Sequence, residues 1–362
     1  MTPLAAVVED ARLVVCMGTG GVGKTSTSAA LGVAAARRGR RVVVVTIDPA
    51  RRLADALGVT GVGNHPVRVP GPWPGELTAV MLDTATTFDD VVRATAAGPE
   101  QAERILTNRF YRNIAETLSG TSEYMAGEKL LELLESGQHD LVVVDTPPSE
   151  RALDFLDAPG RLVHLLDHRV YRALMGPARG YGRALSFATQ GFLRIAGRIV
   201  GTELVDDAIA FFAAFDGMDT GFRERADQVR AWLRDPSTGY VLIAAPRRDT
   251  IAGARALRDR LDEVGIPLDA VVVNRVHPDR GDPVAAAMAA EATAGTALGA
   301  QWANLAELAA TARLEEQAVQ GVAGQALTVR IPELDLDITD VESLGLLADL
   351  LVGGNDEAAG AG

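Results

Sequence analysis

Residues 18–25 form a glycine-rich loop between an apolar segment and an alanine-rich segment. The loop follows the complete G-x-x-x-x-G-K-[ST] phosphate-binding pattern, reading Gly18-Thr19-Gly20-Gly21-Val22-Gly23-Lys24-Thr25. Residues 12–17, apolar from Leu13 onwards, read as a buried strand, and residues 24–38 favour a helix. A strand, a glycine loop and a helix in this order predict a site for a nucleoside triphosphate. We expect the loop and the adjacent Ser26 to bind its phosphates, because the glycines let backbone N–H groups converge on phosphate oxygens.

The lysine of this loop is itself informative. Of 35 basic residues in the chain, only Lys24 and Lys129 are lysines. A background this rich in arginine suggests that position 24 excludes a guanidinium group. A compact ammonium group can reach between the β- and γ-phosphates, where a planar fork is too bulky.

Composition narrows the class of protein. The chain has 362 residues and 48% hydrophobic content, enough for a large α/β domain or a core with a subdomain. A net charge of -13 argues against non-specific binding to nucleic acid or anionic lipid. A single cysteine, Cys16, excludes an intramolecular disulfide and favours reducing cytosol. No signal peptide and no apolar run of about 18 residues is evident, so we expect a cytoplasmic protein without stable membrane insertion.

Further apolar, β-branched segments read as parallel strands. They are residues 41–47, 141–144, 240–244 and 270–273, with weaker candidates at 77–82 and 326–331. Helical patterns separate nearly all of them, which predicts an α/β fold with the doubly wound, mostly parallel sheet of a P-loop NTPase.

The strand patterns stop between residues 159 and 235, where helical patterns punctuated by glycine take over. We interpret 159–235 as a helical insertion subdomain that divides the ATPase core into 1–158 and 236–352. Residues 353–362 are expected to form a flexible tail.

Two aspartates follow predicted strands, at the sheet edge where such folds bind ligands. Asp48 would orient or deprotonate the water that attacks the γ-phosphate; the alternative is an N-cap for the next helix. Asp145 ends an apolar strand in the Walker B arrangement, which holds Mg²⁺ directly or through water. Its alternative is a strand-terminal turn residue. Asn274 ends another strand, where its amide could pair with a base edge or serve a turn.

The loop, the Asp-Pro-Ala-x-x-Leu segment at 48–53 and the Asp-Thr-Pro-Pro segment at 145–148 occur together. In this combination the chain resembles the arsenite-pump and tail-anchored-protein-targeting ATPases of the deviant-Walker-A group, especially their actinobacterial anion-transporting branch. The resemblance implies a nucleotide sandwich dimer with ATP and Mg²⁺. It also implies Lys24 on the phosphates, Thr25 on the metal with Asp145, Asp48 activating water, and Asn274 near adenine.

The chain departs from this family at two points. The signature lysine, second in the loop and directed at the partner's phosphates, is replaced by Thr19. The cysteines that bind arsenite or a dimer-clamping zinc are absent. A hydroxyl supplies no positive charge, so either a homologous lysine-bearing subunit completes a heterodimer or hydrolysis is slow. We favour the heterodimer; a homodimer is the alternative.

In the family, the helical region forms an apolar groove for client transmembrane segments. Residues that would line it, or else form a core or a subunit interface, are Met175, Phe187, Phe192, Leu193, Ile195, Ile199, Phe211, Phe212 and Phe215. The leading interpretation is a Mg-ATPase whose dimer closes on ATP and acts on a protein client. The alternative is a nucleotide-loaded scaffold subunit that hydrolyses poorly.

Overall fold

A computed structural model describes most of the sheet and its surrounding helices. The described residues are 3–48, 50, 52–109, 111–112, 121–148, 158, 207, 210–211, 214, 217–322 and 326–353. Most of the predicted helical insertion and the tail from 354 onwards lie outside them. So do eight of the nine predicted groove residues, Phe211 being the exception.

Eight strands of the described residues form one sheet. They are β1 (Leu13–Gly18), β2 (Arg41–Thr46), β3 (Val67–Val69), β4 (Glu76–Met81), β5 (Leu141–Asp145), β6 (Thr238–Ala244), β7 (Ala270–Val276) and β8 (Leu327–Pro332). Their order is β3-β4-β2-β5-β1-β6-β7-β8, and only the β3–β4 pair is antiparallel. The predicted α/β class with a mostly parallel sheet is confirmed.

Eleven helices of the described residues precede, separate or follow these strands. They are α1 (Pro3–Asp10), α2 (Lys24–Arg37), α3 (Arg52–Leu57), α4 (Thr84–Thr95), α5 (Pro99–Leu106), α6 (Thr121–Glu135), α7 (Asp219–Trp232), α8 (Arg248–Glu263), α9 (Pro283–Ala292), α10 (Ala297–Gln320) and α11 (Val341–Val352). In this part of the chain, no helix is both long and apolar enough to cross a bilayer.

The central strands are apolar because both faces of the sheet are covered. Every residue of β1, β5 and β6 is buried. Side chains alternate between faces along a strand. Accordingly, Val14 and Cys16 join a core that contains α2 and α11 residues, whereas Leu13, Val15 and Met17 are buried on the opposite face. This arrangement brings the carboxyl ends of β1, β2 and β5 to one edge.

One strand was not predicted from the sequence, and another is longer than predicted. The edge strand β3 has only three residues, of which Arg68 is exposed, so it shows no apolar run. Strand β7 continues three residues beyond the predicted 270–273, through an irregularity between Asn274 and Val276. The intervening Arg275 has φ 63, a left-handed conformation that is uncommon outside glycine.

The chain divides into two compact units. The first contains the whole sheet and comprises residues 1–81, 138–153 and 236–362. The second comprises 82–137 and 154–235, and therefore includes α4, α5 and α6, which the sequence division had assigned to the ATPase core. Its described core is partly aromatic. The ring centroid of Tyr111 lies 5.1 Å from that of Phe88 and 6.2 Å from that of Phe211. Phe211, for which the sequence left open a groove, a core or a subunit interface, is buried in that core.

Helix α2 lies close to the sheet because of Gly32. A Cβ atom at this position would lie 2.6 Å from Cγ2 of Val44 and 3.1 Å from Cδ1 of Leu77. We expect Gly32→Val to lower the free energy of unfolding by about 2 kcal/mol, because overpacking displaces the helix. Gly63→Val is the matched control, since a Cβ there meets nothing within 4 Å. Denaturant titration of both variants measures the difference; equal stabilities would contradict the close packing.

Candidate nucleotide-binding site

The glycine loop joins β1 to α2 in an open backbone conformation. Gly21 and Gly23 have φ angles of 75 and 91, a backbone conformation that residues with a Cβ rarely adopt. Gly23 is the N-cap of α2, and no side chain caps the helix start. The first backbone N–H groups of α2 therefore remain available to phosphate oxygens, at the positive end of the helix dipole.

Neighbouring strands approach the loop too closely for larger residues at two of its glycines. A Cβ on Gly18 would collide with the carbonyl oxygen of Ile243 in β6. A Cβ on Gly23 would collide with Nδ2 of Asn274 in β7. That amide nitrogen donates a hydrogen bond to the carbonyl oxygen of Val22, at 2.9 Å. Asn274 thus braces the loop from the neighbouring strand, and its contact with adenine stays a prediction.

A buried carboxylate lies beneath the start of α2. Asp145 is 1% exposed, and its Oδ2 accepts hydrogen bonds from Oγ1 of Thr25, at 2.8 Å, and Oγ1 of Thr46, at 3.0 Å. Its other oxygen, Oδ1, is buried without a hydrogen-bond partner. A carboxylate oxygen left open beside a threonine hydroxyl is a donor set that suits Mg²⁺. The predicted metal residues Thr25 and Asp145 are therefore in contact.

Burial and charge act against each other at this site. Lys24 is 8% exposed, and burial lowers the pKa of its ammonium group, while the charges of Asp145 and Asp48 raise it. Burial raises the pKa of Asp145, while hydrogen bonding by Thr25 and the charge of Lys24 lower it. Both groups lose solvation when they are buried, so each favours an added ion of opposite sign. An anionic phosphate and a divalent cation would supply those charges.

Asp48 lies beyond the end of β2, with a side chain that is 22% exposed. Its Oδ1 accepts a hydrogen bond from the backbone N–H of Ala50 at 3.0 Å, and its Oδ2 lies 3.8 Å from Nη1 of Arg52. The carboxylate therefore supports its own loop, a local capping interaction related to the N-cap alternative. The charge of Asp48 also acts on Lys24 and Asp145, as the water-activating role would require. That role stays a prediction.

A family model described as an anion-transporting ATPase matches residues 11–294. The chain belongs to this family. Membership confirms both the predicted family and the prediction of a nucleotide-binding ATPase. The match covers the strands β1 to β7, and with them every predicted site residue from Gly18 to Asn274.

Individual relatives of the family are distant. The chain is 33% identical over 272 residues to an uncharacterized protein of Streptomyces coelicolor, covering 74% of this chain but only 63% of that protein. It is 26% identical over 275 residues to the ATPase GET3 of Malassezia globosa, covering 75% of each. It is 32% identical over 146 residues to the ATPase get3 of Schizosaccharomyces pombe, covering 39% of this chain and 41% of that protein.

Within this family member, Thr19 packs inward. A Cβ added to Gly253 of α8 would collide with Cγ2 of Thr19, so the glycine makes room for the threonine methyl group. The Thr19 hydroxyl is shielded from solvent and has no hydrogen-bond partner. The residue at the position of the signature lysine therefore contacts a helix of its own chain.

Sequence reasoning missed Thr46, the last residue of β2. It is 1% exposed, and its hydroxyl accepts from the backbone N–H of Asp48 at 3.2 Å as well as donating to Asp145. The signal was present, because Thr46 is the one polar side chain after four consecutive valines.

A second hydroxyl, that of Thr146, donates to the carbonyl oxygen of Cys16 at 2.8 Å. Burial raises the pKa of the Cys16 thiol to about 12, which leaves it unreactive.

The glycine at position 23 provides a test of the loop geometry. We expect Gly23→Ala to destabilise the protein more than Gly21→Ala, because only position 23 adds a clash with Asn274 to the left-handed strain. The strain alone is worth about 1–2 kcal/mol at either position. Chemical denaturation of the nucleotide-free protein compares the two variants. Combining Gly23→Ala with Asn274→Ala should recover part of the loss; no recovery would contradict the contact.

Proposed function

We propose that this chain is a Mg-ATP-dependent ATPase that acts as a dimer with a homologous subunit. The observation that carries the proposal is Asp145, held by two hydroxyls on Oδ2 and open at Oδ1, next to a buried lysine and an uncapped helix start. Such an arrangement accepts both charges of a metal–triphosphate complex and little else.

Each site residue has its own role in the proposed function. Backbone N–H groups of the loop and the Lys24 ammonium group bind the phosphates, with Ser26 beside them. Thr25 and Asp145 would hold Mg²⁺, which would neutralise charge on the phosphate oxygens. Asp48 orients the attacking water and accepts its proton. Asn274, in addition to bracing Val22, reaches the adenine base through its remaining amide oxygen.

The partner subunit is proposed to be a homologue that carries the lysine missing at position 19. Supporting this, Thr19 has no charge, and its methyl group packs near Gly253 of α8 in its own chain. The second candidate is a homodimer with slow turnover that works as a nucleotide-loaded scaffold. It too is inferred from Thr19, which supplies no positive charge. In either case the family resemblance supports a protein client with an apolar helix. The net charge of -13 argues against a nucleic-acid partner, and the single cysteine favours the cytoplasm.

Hydrolysis is tested by replacing Asp48. We expect Asp48→Asn to bind Mg-ATP within about threefold of the wild type, while its single-turnover rate falls at least about a hundredfold, as for loss of a general base. Asp55→Asn is the matched control, since Asp55 is an exposed aspartate on α3. Calorimetry measures binding and quenched-flow measures the rate. Undiminished hydrolysis in Asp48→Asn would reject its role, and absence of Mg-ATP binding in the wild type would reject the function.

The missing lysine gives a second test. If charge in the opposite site limits turnover, Thr19→Lys should raise the hydrolysis rate of a homodimer about tenfold or more. Thr19→Met, similar in length but uncharged, is the control for disturbing the contact with Gly253. Native mass spectrometry in ATP reports the assembly in parallel. A wild-type homodimer whose rate does not respond to Thr19→Lys would contradict the proposed lysine dependence.

A further inference from the structure

Thr46 connects two parts of the site that are far apart in the sequence. It ends β2, and the parallel pairing of β2 with β5 places it directly beside Asp145. Residues paired in this way direct their side chains to the same face of a sheet. Both side chains are buried, with 1% exposure each. The hydroxyl of Thr46 and the carboxylate of Asp145 therefore meet because of strand register, across 99 residues of sequence.

The direction of each hydrogen bond follows from the chemistry of the groups. The backbone N–H of Asp48 can only donate, so Oγ1 of Thr46 accepts from it at 3.2 Å. The single proton of the Thr46 hydroxyl is then free to be donated to Oδ2 of Asp145, at 3.0 Å. Thr25 donates to the same oxygen at 2.8 Å. One continuous chain of hydrogen bonds thus runs from the Asp48 amide to the carboxylate beneath α2.

Two consequences follow for the carboxylate and for the loop. Because two hydroxyls occupy Oδ2 of Asp145, its rotation is restricted and Oδ1 is the oxygen left for a metal or a metal-bound water. Because the Asp48 amide is tied to Thr46, the start of the loop that carries the Asp48 carboxylate is tied as well. Hydrogen bonds through Thr46 therefore link the Asp145 carboxylate to the backbone of Asp48.

We propose that Thr46 is a positioning residue that couples the metal-binding carboxylate Asp145 to the backbone of Asp48. This rests on the proposed function of the site and adds a residue that acts through two others. Propensity does not account for the threonine, because β2 already uses β-branched valines at its four preceding positions. Only the hydroxyl distinguishes Thr46 from them, and a buried hydroxyl is unfavourable unless it is hydrogen-bonded.

The test removes the hydroxyl while keeping the shape. Thr46→Val is the main variant, Thr46→Ala replaces it if valine prevents folding, and Thr46→Ser restores the hydroxyl. Thr78→Val is the matched control: Thr78 is a buried threonine on the neighbouring β4 whose hydroxyl donates to the carbonyl oxygen of Val42. Hydrogen exchange of the Asp48 amide, followed by NMR in the nucleotide-free protein, is the first measurement. The Mg²⁺ concentration for half-maximal ATP binding and the single-turnover rate are the others.

We expect Thr46→Val to accelerate exchange of the Asp48 amide about tenfold or more, since the amide loses its acceptor. The Mg²⁺ requirement should rise about tenfold and the hydrolysis rate should fall between about tenfold and a hundredfold, the range for losing a hydrogen bond to a charged group. ATP binding without Mg²⁺ should change less than about twofold. Thr46→Ser should recover most of each loss, and Thr78→Val should resemble the wild type.

A double-mutant cycle distinguishes positioning from general structural support. If Thr46 acts through Asp48, adding Thr46→Val to Asp48→Asn should lower the hydrolysis rate less than it does in the wild type. Unchanged exchange and Mg²⁺ dependence in folded Thr46→Val, or failure of Thr46→Ser to recover them, would overturn the inference while leaving the proposed function intact. A wild type that binds no Mg-ATP would overturn both.

Discussion

A buried carboxylate at the end of a central strand organises this site. Asp145 has lost nearly all solvent contact, and Lys24 and the hydroxyls of Thr25 and Thr46 partly compensate its charge. Such a group is unfavourable by itself, because desolvation opposes its ionised form. The loop, the helix start and β2 all contribute a group that offsets this cost. Its second oxygen, Oδ1, is buried without a hydrogen-bond donor. This open acceptor is the reason why we propose a cation here.

Two glycines allow neighbouring strands to lie close to the proposed phosphate-binding loop. Gly18 allows β6 to lie against the end of β1, and Gly23 allows both the left-handed turn into α2 and the contact with Asn274. Asn274, the first residue of β7 beyond the predicted strand end, donates a hydrogen bond to the carbonyl oxygen of Val22. The loop is therefore supported by side chains and strands on several sides. This support holds in place the N–H groups that we propose bind phosphate.

Much of this could be predicted because it depends on neighbouring residues or on a simple rule. The pattern from Gly18 to Thr25 is local, and the ends of parallel strands meet at one edge, so Asp48 and Asp145 could be expected there. The three-residue β3 could not be expected, since it is too short to show an alternating pattern. The grouping of residues 82–137 with 154–235 was not predicted either. The apolar pattern of a helix does not indicate which core that helix packs against.

The sequence by itself determined the loop, the central strands, the family and the residues that bear charge, because each is encoded in a continuous run of the chain. Only the tertiary structure decided how those charges are partnered. Thr46 meets Asp145 across 99 residues and Thr25 meets it across 120, through strand register and the start of α2. Thr19 faces Gly253 for a similar reason. These contacts depend on ångström-scale packing between distant segments, which no local pattern specifies.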